Sequence, residues 1–222
     1  MRIVAGRHRG RRLEAPAGMA VRPTADRTRE ALFNILTQGK LPWRAPVGEG
    51  AGGLGSGGQG AEERGAEGQD SEGQGAERRG NPLAGARALD AFAGTGALGL
   101  EALSRGAAFV TFMENQAAAF AACRNNIDLL EETARSQALR CDVLRPPPAP
   151  APCELVLMDP PYNQGLAAPA LAALEAAGWL APGALGVVEL MAKEPFAPPE
   201  GFEALDECKY GKARLVFLRA PG

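Results

Sequence analysis

Ala88-Leu89-Asp90-Ala91-Phe92-Ala93-Gly94-Thr95-Gly96-Ala97-Leu98-Gly99 reads as a short apolar strand, a tight glycine turn and the opening of a helix. Glycines at such a junction let backbone come close to a ligand. The spacing from Gly94 to Gly99 also matches the GxGxxG pattern of dinucleotide sites, so a nicotinamide dinucleotide is a competitor at this point. Asp90 argues against it. A carboxylate just before the glycines would repel a pyrophosphate and would favour a cationic sulfonium with its amino group.

Outward from this stretch, strands and helices alternate. The helix continues over 97–104, and Phe109-Val110-Thr111-Phe112-Met113 is a second strand. A helix over 116–130 and a third strand at 138–141 follow. A Pro-rich loop leads to Leu155-Val156-Leu157-Met158, then a helix over 166–177 and a fifth strand at 185–190. Residues 203–209 and 214–218 read as a final antiparallel pair. The pattern predicts an α/β fold with a seven-stranded, mostly parallel sheet covered on both faces. Ligands bind such sheets beyond the carboxyl ends of the strands.

Upstream, Ile3-Val4-Ala5 and Arg12-Leu13 flank Gly6 to Gly10 as a small hairpin. A helix follows, with Thr24 as its expected cap and Ala31, Leu32, Ile35 and Leu36 as its apolar stripe. Residues 48–80 hold 13 of the 29 glycines, and Leu54 is their only large apolar residue. Such a stretch buries too little surface to offset its ordering entropy. The expected organisation is therefore 1–38 as hairpin and helix, 39–86 as a flexible Gly-rich insertion, and 87–222 as the main domain.

Charge is uneven along the chain. Eight arginines in residues 1–30 face Glu14, Asp26 and Glu30, whereas the whole chain has a net charge of −2. A basic arm on a mildly acidic body suggests contact with a polyanion. Four cysteines without a CxxC pair and a single histidine, His8, argue against a zinc site or a disulfide framework. With no apolar run of membrane-spanning length and no signal-peptide core, a reduced, cytoplasmic location is expected.

Three further acidic positions end strands. Glu114, about twenty residues beyond the glycines, could accept both hydroxyls of a ribose. Asp142 could receive an adenine amino group, or simply cap a turn. Asp159-Pro160-Pro161-Tyr162 follows the fourth strand. Its prolines remove two backbone donors, leaving the Asp159 carboxylate and the Pro160 carbonyl as acceptors. Such a pair suits the exocyclic NH₂ of a base, and Tyr162 offers a face for stacking it.

The run from Asp90 to Gly106, then Glu114, then Asp159-Pro160-Pro161-Tyr162, resembles S-adenosylmethionine-dependent methyltransferases that act on amines. Arg7-x-x-Gly10-Arg11-x-Leu13 and Arg22-Pro23-Thr24-x-Asp26-Arg27-x-Arg29-Glu30-x-Leu32-Phe33-Asn34 narrow this. Together they are similar to the bacterial 16S rRNA (guanine(966)-N(2))-methyltransferase family. The resemblance implies a Rossmann-like class I methyltransferase fold. It also implies S-adenosyl-L-methionine held by Asp90, Phe92, Ala93, Gly94, Thr95, Gly96, Glu114, Asn115 and Asp142. Asp159, Pro160, Pro161 and Tyr162 would be catalytic. Arg7, Arg9, Arg11, Arg12, Arg22, Thr24 and Arg27 would meet 16S rRNA, naked or within a small ribosomal subunit, and the protein would act as a monomer without metal. Adenine-N6 methylation of DNA or RNA remains open, because the Asp-Pro-Pro-Tyr loop serves both chemistries. So does a nicotinamide-dependent oxidoreductase or dinucleotide-binding module.

Overall fold

The computed structural model describes residues 1–16, 23–37 and 83–222. Arg22 and the Gly-rich tract lie outside them. Helix α1 (Pro23–Thr37) is followed by β1 (Arg87–Ala91), α2 (Ala97–Ser104), β2 (Phe109–Met113) and α3 (Ala117–Leu129). Then come β3 (Ser136–Leu139), β4 (Cys153–Met158), α4 (Ala167–Ala176), β5 (Leu180–Met191), β6 (Glu203–Tyr210) and β7 (Ala213–Arg219). Among the described residues the strands form one seven-stranded sheet in the order β3-β2-β1-β4-β5-β7-β6. The first five are parallel, and β7 runs antiparallel to both β5 and β6.

Strand alternation splits the core in two. Ala88, Val110, Phe112, Leu155, Leu157 and Val187 face one side, together with Leu100 and Leu103 of α2 and Ile127 of α3. Ile3 and Leu13 of the hairpin and Leu32, Phe33 and Leu36 of α1 pack into that same layer. Leu89, Ala91, Met113, Val156, Met158 and Val188 face the other side, under Leu171 and Leu174 of α4 and the fully buried Trp179.

Several boundaries differ from the sequence reading for physical reasons. Helix α1 starts at Pro23, whose fixed φ and missing N–H suit the first helical position, so Thr24 sits inside the first turn and is not the cap. Phe33 joins the apolar stripe at full burial, and Arg29, which lies outside that stripe in the sequence, is 3% exposed. β3 begins two residues early, at Ser136, because an edge strand half-covered by its neighbour needs no apolar run. β5 begins at Leu180, through Pro182 and Gly183, with a register shift against β4 between Cys153 and Leu155.

The hairpin is tied to the sheet layer by polar groups of helices far along the chain. Glu101 of α2, with no solvent exposure, accepts from Val4 N–H at 2.7 Å and Ala5 N–H at 3.0 Å. Arg105 donates to it at 2.7 Å, and Arg29 lies 3.7 Å away. Gly6, at φ +81°, lies so close to the Ser104 carbonyl that a Cβ would stand 1.9 Å from its oxygen, so no other residue fits there. The buried Asn126 of α3 accepts from Glu14 N–H and donates to the Thr95 carbonyl, joining the arm to the glycine turn.

Removing the Glu101 carboxylate leaves two backbone donors without their acceptor and takes the nearby negative charge from Arg105 and Arg29. Breaking a buried pair this way costs about 3–5 kcal/mol. Urea unfolding of Glu101→Ala should show a loss of that size, and a loss under about 1 kcal/mol would mean that the carboxylate does not anchor the arm.

Candidate active site

Register gives the site its shape. Ala91 pairs with Met113 and with Met158, Met113 with Leu139, and Met158 with Val188. The next residue along each strand direction is therefore Phe92, Glu114, Arg140, Asp159 or Glu189, and these five begin one rim. The β6–β7 turn at 211–212 reaches the same rim, because Ala213 pairs with Met191.

The glycine turn shows a cradle. Phe92 has φ +62°, a left-handed backbone held in a bulky residue, which is the kind of local strain that concentrates at ligand sites. Gly94 has φ +56°, and a Cβ built there would meet nothing within 4 Å, so open space lies over its backbone. Gly96 and Gly99 serve packing instead. A Cβ on Gly96 would stand 2.8 Å from Cys123 Sγ, and one on Gly99 would stand 2.3 Å from the Phe112 ring. Ala93 and Thr95 are buried within the turn.

Glu114 is nearly buried and clamps this turn. Its Oε2 accepts from Gly94 N–H and its Oε1 from Gln116 N–H, both at 2.8 Å. A carboxylate has about four lone-pair sites, so each oxygen keeps capacity for a hydroxyl. Asn115 beside it is exposed. Asp142, also exposed, accepts from Leu144 N–H at 3.0 Å and so caps its own turn.

Asp90 differs from its expected role. It is 1% exposed, and its Oδ2 accepts from Gly99 N–H at 2.7 Å, satisfying a free donor in the first turn of α2. Its Oδ1 is buried without a hydrogen-bond partner among the described residues. An enclosed carboxyl acts on the site through the loop it supports.

On the next strand over, Asp159 is exposed, Pro160 buried, Pro161 exposed and Tyr162 half-buried. The Tyr162 hydroxyl donates to Glu189 Oε1 at 2.6 Å. Glu189 is 8% exposed and fixes the ring beside the acceptor pair. The sequence reading missed it, since it lies in the apolar run Leu185 to Leu190 and meets Tyr162 only through the β4–β5 pairing.

The arginines of the arm do not act as one set. Arg7 and His8 both bind Glu132, with His8 Nε2 at 2.6 Å. Arg11 donates to the Leu129 carbonyl at 2.7 Å. Burial works to raise the Glu132 carboxyl, but hydrogen bonds from Arg7, His8 and Arg135 outweigh it and hold the group below the usual range. Arg7 and Arg11 thus serve the fold, contrary to the expectation that the arm's arginines are all free for phosphates. Arg9, Arg12 and Arg27 are exposed.

The family described as Conserved hypothetical protein 95 matches residues 1–68 and 76–219. Ribosomal RNA small subunit methyltransferase D of Escherichia coli K12 is 33% identical over 85% of this chain and 74% of its own length. The Haemophilus influenzae protein of the same name is 29% identical over 93% of this chain and 87% of its own. Among solved structures, Escherichia coli yhhF, described as a candidate methyltransferase, superposes with a TM-score of 0.69 at 29% identity, covering 100% of this chain and 98% of that one. The strand order and the antiparallel last pair are those of the Rossmann-like class I methyltransferase fold.

Burial pushes the Asp90 carboxyl up to about 8, against the lowering hydrogen bond from Gly99 and with a raising contribution from the Glu114 charge. A group that binds its proton more tightly when folded stabilises most at low pH, and that stability is lost as pH rises from about 4 to about 8. Asp90→Asn, which keeps an acceptor for Gly99, should therefore unfold at a higher temperature than the ligand-free wild type at pH 8 and at the same temperature near pH 4. A difference independent of pH would contradict the buried, proton-holding state.

Proposed function

The chain belongs to the Conserved hypothetical protein 95 family, and on that premise we propose that it transfers a methyl group from S-adenosylmethionine to the exocyclic N2 amine of a guanine in small-subunit rRNA. The observation that carries this reading is the acceptor loop Asp159-Pro160-Pro161-Tyr162, standing on one rim with the open Gly94 turn and braced by Glu189. The residues fit adenosylmethionine. Phe92 to Gly96 form a cradle with room over Gly94, Glu114 keeps acceptor capacity at the ribose position, and Asp142 and Asn115 are exposed next along the rim. When bound, adenosylmethionine supplies a methyl group on a sulfonium, an electrophile that needs no further activation.

The protein's work is positioning and electrostatics. The lone pair of guanine N2 is delocalised into the ring, so the amine is a weak nucleophile. The Asp159 carboxylate and the Pro160 carbonyl accept its two N–H bonds, turn the lone pair out of the ring and stabilise the positive charge that develops on nitrogen, and Asp159 is placed to take the proton that the methylated amine gives up. Pro160 and Pro161, having no N–H, add no backbone donor that would compete for that lone pair. Tyr162, fixed through its hydroxyl, stacks a base that has left its helix. Asp90, neutral or charged beneath the glycine turn, holds α2 in place through Gly99.

Nucleoside mass spectrometry of small-subunit rRNA treated with the protein and adenosylmethionine should show N2-methylguanosine. Asp159→Ala should lower the transfer rate on the order of 10²–10³ while the cofactor still raises the unfolding temperature. N6-methyladenosine as the product, or near-normal turnover of the variant, would overturn the reading. NAD should give no stabilisation, and a shift with NAD but none with adenosylmethionine would assign the glycine turn to a dinucleotide.

A further inference from the structure

Six of the seven arginines of the hairpin and α1 divide into two sets; the seventh, Arg12, is exposed and does not line the groove between the hairpin and α1. Arg7, Arg11 and Arg29 donate within the fold, to Glu132, to the Leu129 carbonyl and to the Arg2 carbonyl. Arg2, Arg9 and Arg27 are exposed, and among the described residues no hydrogen bond or ion pair engages their guanidinium groups. All three line one groove of about 470 Å³ between the hairpin and α1. Glu30 lines it too and pairs with none of them, so the groove keeps an excess of positive charge.

The groove is built on a rigid frame. Ile3 N–H bonds the Arg11 carbonyl and Gly10 N–H the Ile3 carbonyl, both at 2.9 Å, which ties the turn carrying Arg9 to Ile3, the neighbour of Arg2. The buried Arg29 holds the Arg2 carbonyl at 2.6 Å. Gly10, at φ +83°, has open space where a Cβ would be, so another backbone can come close. Three unpaired guanidiniums in one concavity repel each other unless an anion lies among them. Their planar forks suit phosphate oxygens.

We propose that this groove is where the protein grips the phosphodiester backbone of its RNA, with Arg2, Arg9 and Arg27 as the phosphate contacts and Arg7 and Arg11 as structural ties. The proposal rests on the rRNA reading above. Arg2 enters as a contact that the arginine-rich motif alone does not single out. The groove holds the strand and sets register, and the rim on the sheet selects the base.

The test is fluorescence anisotropy of a small-subunit rRNA transcript over a range of salt, on the full chain. The Arg2→Ala, Arg9→Ala, Arg27→Ala triple variant should lower the log–log salt slope by about two to three, at roughly 0.7–0.9 per phosphate contact. Its unfolding temperature should be no lower than that of wild type, and its affinity for adenosylmethionine should match. The corresponding triple Lys variant should keep most of the slope, and Arg9→Ala alone should lose about 0.7–0.9 of it. Arg7→Ala with Arg11→Ala should keep the wild-type slope and melt at lower temperature. An unchanged slope in the triple Ala variant, or in Arg9→Ala should the triple not fold, overturns the proposal. So does a slope loss confined to the Arg7 and Arg11 pair. Wild type methylating the transcript while the groove variants bind normally would sink the groove alone. Wild type neither binding nor methylating would sink the rRNA reading and the groove with it.

Discussion

Parallel strands that end together place their next residues side by side, and the functional account depends on that constraint. β1, β2 and β4 end in register at Ala91, Met113 and Met158, and Met158 pairs with Val188 inside the longer β5. Their alternation buries those four residues on one face of the sheet. The chain leaves β1, β2 and β4 at one level, through Phe92, Glu114 and Asp159, and Glu189, still within β5, stands in the same row. A one-residue slip in β4 would move Asp159 off that row and turn the strand's apolar set to the wrong face. Two kinds of site therefore meet without any contact between their sequences. One is a cradle of backbone and carboxylate around Gly94, and the other is an acceptor-only loop braced by a buried glutamate.

The same economy joins the arm to the cradle. Glu101, Ser104, Asn126 and Glu132 project from α2, α3 and the segment after α3, and each receives a part of the first fourteen residues. Asn126 also holds the Thr95 carbonyl, so the arm and the glycine turn share one buried side chain. The arm is thereby held in a fixed relation to the rim. An RNA gripped by the arm would present its base at a defined place, and positioning is the main source of catalysis for a reaction that needs no covalent intermediate.

Much of this was legible in the sequence. The alternation of strands and helices gave the sheet, and 97–104 and 109–113 match α2 and β2 to the residue. Local signals failed where tertiary contact decides. Ser136 and Gln137 carry no strand pattern, yet pairing with Val110 and Thr111 makes them one. Glu101, Asn126 and Glu132 look like solvent-facing helix residues because the arm that covers them lies about a hundred residues upstream. Arg7 and Arg11 look identical to Arg9 and Arg12 in a basic run, and only the position of Glu132 and the end of α3 separates them. Glu189 was hidden inside an apolar strand for the same reason. Asp90 was placed correctly at a strand end, but its burial against Gly99 depends on how tightly α2 seats on β1.

The central claim is that one rim holds the cofactor and the amine side by side. A structure of the protein bound to S-adenosylhomocysteine, the demethylated product of the cofactor, tests it most directly. The account predicts the ligand over the Gly94 backbone, its ribose hydroxyls on Glu114 and its sulfur facing the gap before Asp159. A ligand seated away from Gly94, or one with Glu114 out of hydrogen-bond reach, would contradict it.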